Sequence, residues 1–532
     1  MKKIAILPLD NRPCCYDFTE SFGKFGAVEV LQPEKEILGE FTYFGDVKRI
    51  NQWLKAVAGK VDGLILAVDQ LAYGGLIPSR MMERDFDKCE KIVQVIREIR
   101  KEHPDLLIYG VNVLMRISVT TKNKQFLSYW KSIFRYSQLY DRLHRLKEVE
   151  VEKELKEMEA EVPSEVLQEY LQARERNHQI NQLMIDWVAD GTLDFLAITQ
   201  EDASAIGMHL LEQRILVKKI FELNVQRRVL VYPGADEATQ TLLARMVQFL
   251  ENKKLKIYPK YGSTSGKLEV AKFEDRPVEE SVISHITAAG ALVADNVRDA
   301  DLVLYVNTPI GGTLDGNDPS QEKAHFNSRH PLLYFIESID HDLREGRAVS
   351  IADISFPNAS DMELVSFLLT EKLYYPLTAY AGWNTAGNTL GTCISHSIIH
   401  LFAQRNQRET QSTDVTNLHQ RHLAFMTERL LDEWAYQAQV RGKVNLEITE
   451  KFNINGANLE NYYETVNQTV KEEMQPYFTQ LVEHLREYEV SGSSVTDKRE
   501  GVQKERGTWK FEICELPWNR TFELRVKVSQ ER

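Results

Sequence analysis

Short runs of β-branched and aliphatic residues alternate with longer helical patterns along most of this chain. That alternation is the mark of βα units around a mostly parallel sheet. The first series of candidate strands covers residues 4–9, 28–31, 64–68, 107–113 and 195–199. The second covers 229–232, 256–258, 302–306, 348–354 and 377–380. Candidate helices lie between them, at 88–101, 210–223 and 237–251. The run Leu64-Ile65-Leu66-Ala67-Val68 is apolar on consecutive residues, as strands covered on both faces are.

The two series read as one pattern used twice. IAILPLD at 4–10 parallels VLVYPGA at 229–235, and VEVLQP, ending at Pro33, parallels LKIYP, ending at Pro259. DGLILAVDQLAYGG at 62–75 parallels DLVLYVNTPIGG at 301–312, and LLIYGVNVLMRIS parallels AVSIADISFPNAS. We therefore expect an internal duplication of about five βα units. The fold class expected is α/β, with two similar parallel-sheet halves facing a shared cleft; the alternative is a single distorted (β/α) barrel. The expected divisions are 1–225, with a helical hairpin inserted at about 122–190, then 226–404, then a helical segment and β-hairpin cap at 405–532. The hairpin is read from helical stretches at 122–160 and 164–190, broken at Pro163-Ser164. The polar stretch 491–501 reads as a connector to the terminal hairpin.

Charge and composition exclude several functions. The chain has 78 acidic and 65 basic residues, a net charge of −13. A sequence-independent nucleic-acid binder needs a net basic face, and an anionic membrane surface repels such a chain. Only Ile4 to Leu7 precede Pro8 at the start, too short for a secretory signal, and no run approaches a membrane span. The five cysteines include no C-x-x-C pair, so a reduced, cytoplasmic protein is expected, without zinc or disulfides.

Ligands of parallel sheets bind beyond the carboxyl ends of the strands. Those positions are unusually polar here. Asp10 and Arg12 follow the first strand, and Asp69, Tyr73 and Arg80 follow the third. Asn112 and Arg116 lie on or after the fourth, and Glu201 and Asp202 follow the fifth. In the second series come Asp236, Asn307, Asp353, Asn358, Trp383, Asn384 and Asn388, and the terminal hairpin adds Trp518 and Arg520. Singly, Asp and Asn at strand ends are helix caps and turn formers, with Asp202 and Asp361 the clearest caps. As a set they resemble a sugar site, because carboxylates and amides bind hydroxyls while Trp383 or Tyr73 stacks on a ring. Hydrolysing a glycosidic bond takes two carboxylates. The candidates are Asp69, Asp202, Glu201 and Asp10, with Asp69 and Asp202 preferred. The remaining residues are assigned to binding substrate: Arg12, Tyr73, Arg80, Asn112, Arg116, Asp236, Asn307, Asp353, Asn358, Trp383, Asn384, Asn388, Trp518 and Arg520.

Other motifs are absent or weak. No P-loop, H-E-x-x-H or G-x-S-x-G occurs. The stretch Asp315-Gly316-Asn317-Asp318 lacks the later Glu of a calcium loop and reads as a turn. His396 and His400, at i and i+4, read as structural histidines. No cofactor is expected; a carboxylate-bound Mg²⁺ or Mn²⁺ stays open as an alternative.

The longer motifs are PLDNRP at 8–13, DQLAYGGLIPSR at 69–80, MRIS at 115–118, QEDAS at 200–204 and YPGADE at 232–237. GWNTAGNTLGT at 382–392 and LPWNRTFEL at 516–524 complete them. With these the chain resembles a bacterial family known only as a domain of unknown function. The resemblance covers nearly the whole chain, and it implies one integrated cytoplasmic unit and no particular activity. The function expected from the residues is a hydrolase of a small polar substrate, a glycoside first among them. A cytoplasmic sugar- or nucleotide-binding sensor and a Mg- or Mn-dependent enzyme are the alternatives. The expected partner is a small molecule, with no nucleic acid and no membrane, and a homo-oligomer left open.

Overall fold

The runs that are apolar on consecutive residues become strands covered on both faces. Every residue of Gly63–Ala67, Phe195–Gln200, Leu302–Asn307 and Val349–Asp353 is buried. A computed structural model of the chain describes residues 1–118, 128–309, 330–410, 415–496 and 508–531. Residues 315–318 and residues 497–501 of the expected connector lie outside the described residues; residues 491–496 instead continue the helix Tyr463–Thr496.

The first sheet has six parallel strands in the order β2-β1-β3-β4-β5-β6. They are β1 (Lys3–Leu7), β2 (Glu29–Leu31), β3 (Gly63–Ala67), β4 (Leu107–Leu114), β5 (Phe195–Gln200) and β6 (Val229–Pro233). The second has five parallel strands in the order β11-β10-β9-β7-β8. They are β7 (Lys256–Tyr261), β8 (Leu292–Val293), β9 (Leu302–Asn307), β10 (Val349–Asp353) and β11 (Ala379–Ala381). Both sheets are open, so the single-barrel alternative fails. A short antiparallel sheet pairs β12 (Thr508–Glu515) with β13 (Arg525–Glu531).

Read from its second strand, each parallel sheet runs 2-1-3-4-5, so β7–β11 repeat β1–β5. One detail fixes this register. Asp62, just before β3, accepts from the Lys3 N–H of β1 at 2.8 Å, and its own N–H returns to Lys3 O at 2.8 Å. Asp301, just before β9, makes the same two bonds with Lys256 of β7, both at 2.8 Å. The sequence pairing of the third and fourth strands is therefore right. Its pairings of 229–232 with β1 and of 256–258 with β2 are not, because the first of these strands is β6, which closes the first sheet beside β5, and the second is β7, the repeat of β1. The error arises because β1 and β6 are both short apolar runs ending near a proline.

The chain forms two compact units. One comprises Met1–Glu20, Val28–Asn252 and Val270–Gly290; the other comprises Ser21–Ala27, Lys253–Glu269 and Ala291–Arg532. In the first unit, the long helix Ser164–Ala189 buries Ile180, Met184, Ile185, Trp187 and Val188 in the same cluster as Leu64, Leu66 and Leu196. It is thus the ordinary crossover from β4 to β5, not half of an inserted hairpin. Among the described residues the insertion reduces to Trp130–His144 and Glu152–Glu161, with a small core of Tyr136, Leu139, Val151 and Leu155.

In the second unit, Trp509, Leu516, Leu524, Val526 and Val528 of the terminal hairpin enter one cluster with Tyr305, Val349 and Ile351 of the parallel sheet. The hairpin therefore packs on the α/β body. Helix Val415–Arg429 runs into an 11-residue π-helical stretch, Leu430–Val440, a geometry that recurs near functional sites. Among the described residues, no helix is long and apolar enough to cross a membrane. All five cysteines are free thiols.

Candidate functional site

In the order 2-1-3 the strand connections diverge between β1 and β3, and ligands of such sheets sit just beyond the carboxyl ends there. In the first unit Asp10 and Arg12 follow β1, and Asp236 follows β6. The three are all but fully buried, at 1%, 3% and 5% exposure. Arg12 Nη2 donates to Asp10 Oδ2 at 2.7 Å and to Asp236 Oδ1 at 2.6 Å, and Nη1 donates to Asp236 Oδ2 at 3.2 Å. Burial works against the Arg12 charge, yet Asp10 and Asp236 outweigh it and hold its pKa well above the ordinary value. Burial drives Asp236 up to about 6, with Arg12 pulling it partly back.

A strained turn aims Asp236. Gly234 has φ +136°, and a Cβ there would lie 2.1 Å from Glu237 Oε1. Glu237 folds back to accept the Ala235 N–H at 2.9 Å. Gly234→Ala is therefore expected to cost about 1–3 kcal/mol in urea denaturation. It should also displace Asp236, read as a loosened Arg12 contact in a crystal structure of the variant.

A second ionic group stands beside the first. Arg80, after β3, donates to Glu201, after β5. Arg116, after β4, pairs with Asp202 and lies 3.8 Å from Glu201. Burial lowers Arg80 to about 10, opposed by Glu201. The pairs feel one another: Arg116 senses Asp236, and Asp236 senses Glu201. Glu201 Oε2 is buried without a hydrogen-bond partner. Asp202 has φ +39° and lies well ahead of the helix Met208–Glu222, so it is an arginine partner and not the expected cap. Asp361 does cap its helix, accepting from the Glu363 and Leu364 N–H groups.

Asp69 stands apart in role. It is wholly buried and accepts the Val113 N–H at 2.8 Å and Asn112 Nδ2 at 3.0 Å, clamping β4 to the end of β3. Burial raises it to about 7, partly offset by those two bonds. Tyr73 is 1% exposed and Arg176 lies 4.4 Å over its ring, so it offers no face to a sugar.

Cys14 and Cys15 adjoin this cluster. Their sulfurs and an Asp236 oxygen lie within 4.8 Å of one another, a spacing that metal ligands use. Arg12, however, already holds both Asp236 oxygens and comes within 3.9 Å of Cys15 Sγ. Burial keeps both thiols raised and neutral. The positive charge facing Asp236 is thus the guanidinium, and the group does not suit a cation.

The other sequence-derived site residues belong to the second unit. Asn307 Nδ2 donates to Asp353 at 2.9 Å and to Asp361 at 3.2 Å, and Tyr380 Oη donates to Asp353 at 2.9 Å. Asn307–Asp353 mirrors Asp69–Asn112: one buried acid–amide pair closes the central strands of each sheet. Burial, reinforced by Asp361, raises Asp353 to about 7. Asn358 and Asn384 are left-handed, at φ +65° and +69°, and the Asn358 N–H donates to Asn384 O at 2.9 Å. Asn388 sits in the first turn of the helix Ala386–Thr410, its N–H 3.4 Å from Thr385 Oγ1. Trp383 packs on Phe522, and Arg520 covers Trp518 at 4.6 Å while pairing with Glu523.

Residues 4–527 match the model of a family described as "Protein of unknown function (DUF4127)". The chain belongs to the DUF4127 family. No curated protein matches it.

Sequence reasoning on this DUF4127 chain missed several polar groups. Gln200 and Arg276 meet Asp275 at 3.0 and 2.8 Å in the first unit. In the second, the π-helical Glu433 accepts the Gly382 N–H at 2.6 Å and Arg429 at 3.0 Å. Burial raises Glu433 to about 8 against the pull of Arg429. The only available signal was the density of charge in Glu428-Arg429 and Asp432-Glu433, on a stretch otherwise apolar enough to be core.

Proposed function

We propose that this chain is a hydrolase of a small polar substrate, a glycoside first among them, working at the carboxyl edge of β1, β5 and β6. The observation that carries the reading is the Asp10–Arg12–Asp236 triad. Two carboxylates that share one guanidinium nitrogen at 2.7 and 2.6 Å are no farther apart than those distances laid end to end. That suits the roughly 5 Å between the carboxyls of a retaining glycosidase. Asp236, raised to about 6, has the proton affinity a general acid needs near neutrality.

In this reading Asp236 gives its proton to the leaving oxygen as Asp10 attacks the sugar carbon. Asp236 then takes a proton from the water that releases the sugar. Arg12 positions both acids, and Arg80 and Arg116 with Glu201 and Asp202 bind substrate hydroxyls. Asp69 is a positioning residue here, because its Oδ2 holds the Val113 N–H and the Asn112 amide of β4. The test is turnover of a panel of chromogenic aryl glycosides between pH 5 and 7. Wild type should hydrolyse at least one, and Asp236→Asn should slow it by about 10²–10⁴-fold.

The second reading is a sugar- or nucleotide-binding sensor. It is favoured by the engagement of Asp10, Asp236, Glu201 and Asp202 with arginines, an arrangement that suits binding as well as catalysis. Ligand-induced stabilisation without turnover of any ligand bound would favour it.

A further inference from the structure

A cavity of about 660 Å³ opens in the second unit, and most of the residues around it carry polar or charged side chains. Lys260, Arg298 and Arg347 line it, together with His341, Asp299 and Asp342. None of these belongs to the cluster around Arg12, and none was singled out by its sequence context.

The cavity is built around one carboxylate. Asp342 is almost fully buried, its side chain 1% exposed. Its Oδ2 accepts Lys260 Nζ at 2.6 Å and Tyr305 Oη at 2.7 Å, and its Oδ1 accepts Arg347 Nη1 at 2.7 Å. Three donors saturate the acid, and its pKa is lowered: burial raises it, but Lys260, Tyr305 and Arg347 together outweigh that. It therefore serves as an anchor. Lys260 and Arg347 each remain about a third exposed, at 29%, and keep donors beyond those spent on Asp342. Asp299 is tied to Asn296 Nδ2 at 2.6 Å, which turns that acid to the loop. Arg298 lies on the same wall.

Two cations fixed on Asp342, with the exposed Arg298 beside them, thus face two acids, both already engaged. An Arg fork and a Lys point charge held on one support are how phosphate oxygens are bound. The volume is that of a small-metabolite site. We propose that this cavity is a binding site for a small phosphate-bearing metabolite, with Lys260, Arg298 and Arg347 on the phosphate and Asp342 as the positioning residue beneath them. The inference does not depend on the reading of the Arg12 cluster, since it concerns other residues and another ligand chemistry.

The test uses the full chain. Thermal unfolding and isothermal titration are followed with inorganic phosphate, inorganic pyrophosphate and glucose 6-phosphate, against sodium chloride at matched ionic strength. The expected result is stabilisation and saturable binding by at least one phosphate compound and none by chloride. Arg298→Glu should weaken that binding at least tenfold while leaving the unliganded melting temperature within a degree or two, because the residue is at the surface. Asp342→Asn should weaken it too, and Lys260→Gln in the wild-type background reports the same loss if the Asp342 variant folds poorly. Absence of binding by all three probes overturns the proposal. So does equal binding by wild type and Arg298→Glu, or retention of the protein only by vesicles carrying phosphatidic acid.

Discussion

Replacing Arg12 with Ala is expected to destabilise the first unit by about 3–5 kcal/mol. Arg12 lies between two carboxylates that are themselves 1% and 5% exposed. Removing it leaves both buried charges without the guanidinium they share, and desolvation that it had offset is then uncompensated. Asp236, already raised to about 6 with Arg12 present, should rise further. The variant should therefore regain stability as pH falls and Asp236 takes up a proton. Urea denaturation at pH 7 and pH 5 checks this: the gap between wild type and Arg12→Ala should narrow at pH 5. A loss under 1 kcal/mol would mean that water reaches the triad freely. Lys in place of Arg12 should recover only part of the stability, since one ammonium cannot bridge both acids as the fork does.

The second large effect is acid lability of the second unit. His396, His400 and His422 are fully buried among Phe22, Phe25 and Phe425. The Leu377 carbonyl can only accept, so His422 carries its proton on Nε2, 3.1 Å away. Its bare Nδ1 then accepts from His396 Nε2 at 3.3 Å, and His396 Nδ1 is left buried without a partner. The cluster is thus wired for neutral rings. Burial comes first, helped by the neighbouring histidines and, for His396, by Arg429; it lowers all three pKa values, His422 to about 4. A histidine depressed on folding contributes stability present above its unfolded pKa of about 6.5 and lost as pH falls toward its folded value. His422 alone accounts for about 3 kcal/mol of loss between pH 6.5 and 4. Asp353 and Glu433 act in the opposite sense, since raised carboxyls stabilise most at low pH and lose that contribution as pH rises through about 7 and 8. The net acid limb should flatten in His400→Phe, which keeps the stack on His422 and removes one titrating ring. An unchanged limb in that variant would place the acid sensitivity elsewhere.

Much of the fold was legible because burial writes itself into composition. β3, β5 and β9 are buried on both faces, and no polar residue interrupts their central positions. Once strand ends were located, the residues after them followed: Asp10, Arg12 and Asp236 form one ionic group in the first unit, and Arg80, Arg116, Glu201 and Asp202 form a second beside it. Pairing was not legible. Arg12 and Asp236 are joined only through the place of β6 in the first sheet, and the sequence had counted β6 with the second. The duplication was visible in strand texture, but its frame depends on backbone bonds such as Lys256 to Asp301, which leave no mark in an apolar run. Glu433 left only the charge density around it as a signal, and its π-helical setting left none, because a π turn has no periodicity of its own.

The most direct measurement is aryl-glycoside hydrolysis by wild type and Asp236→Asn side by side, with circular dichroism and thermal unfolding confirming that both are folded. The expected result is turnover by wild type, with a rate that falls as pH rises past about 6, and loss of at least two orders of magnitude in the variant. Equal rates in the two proteins, or binding of a glycoside by wild type with no hydrolysis of it, would contradict a hydrolase built on Asp10 and Asp236.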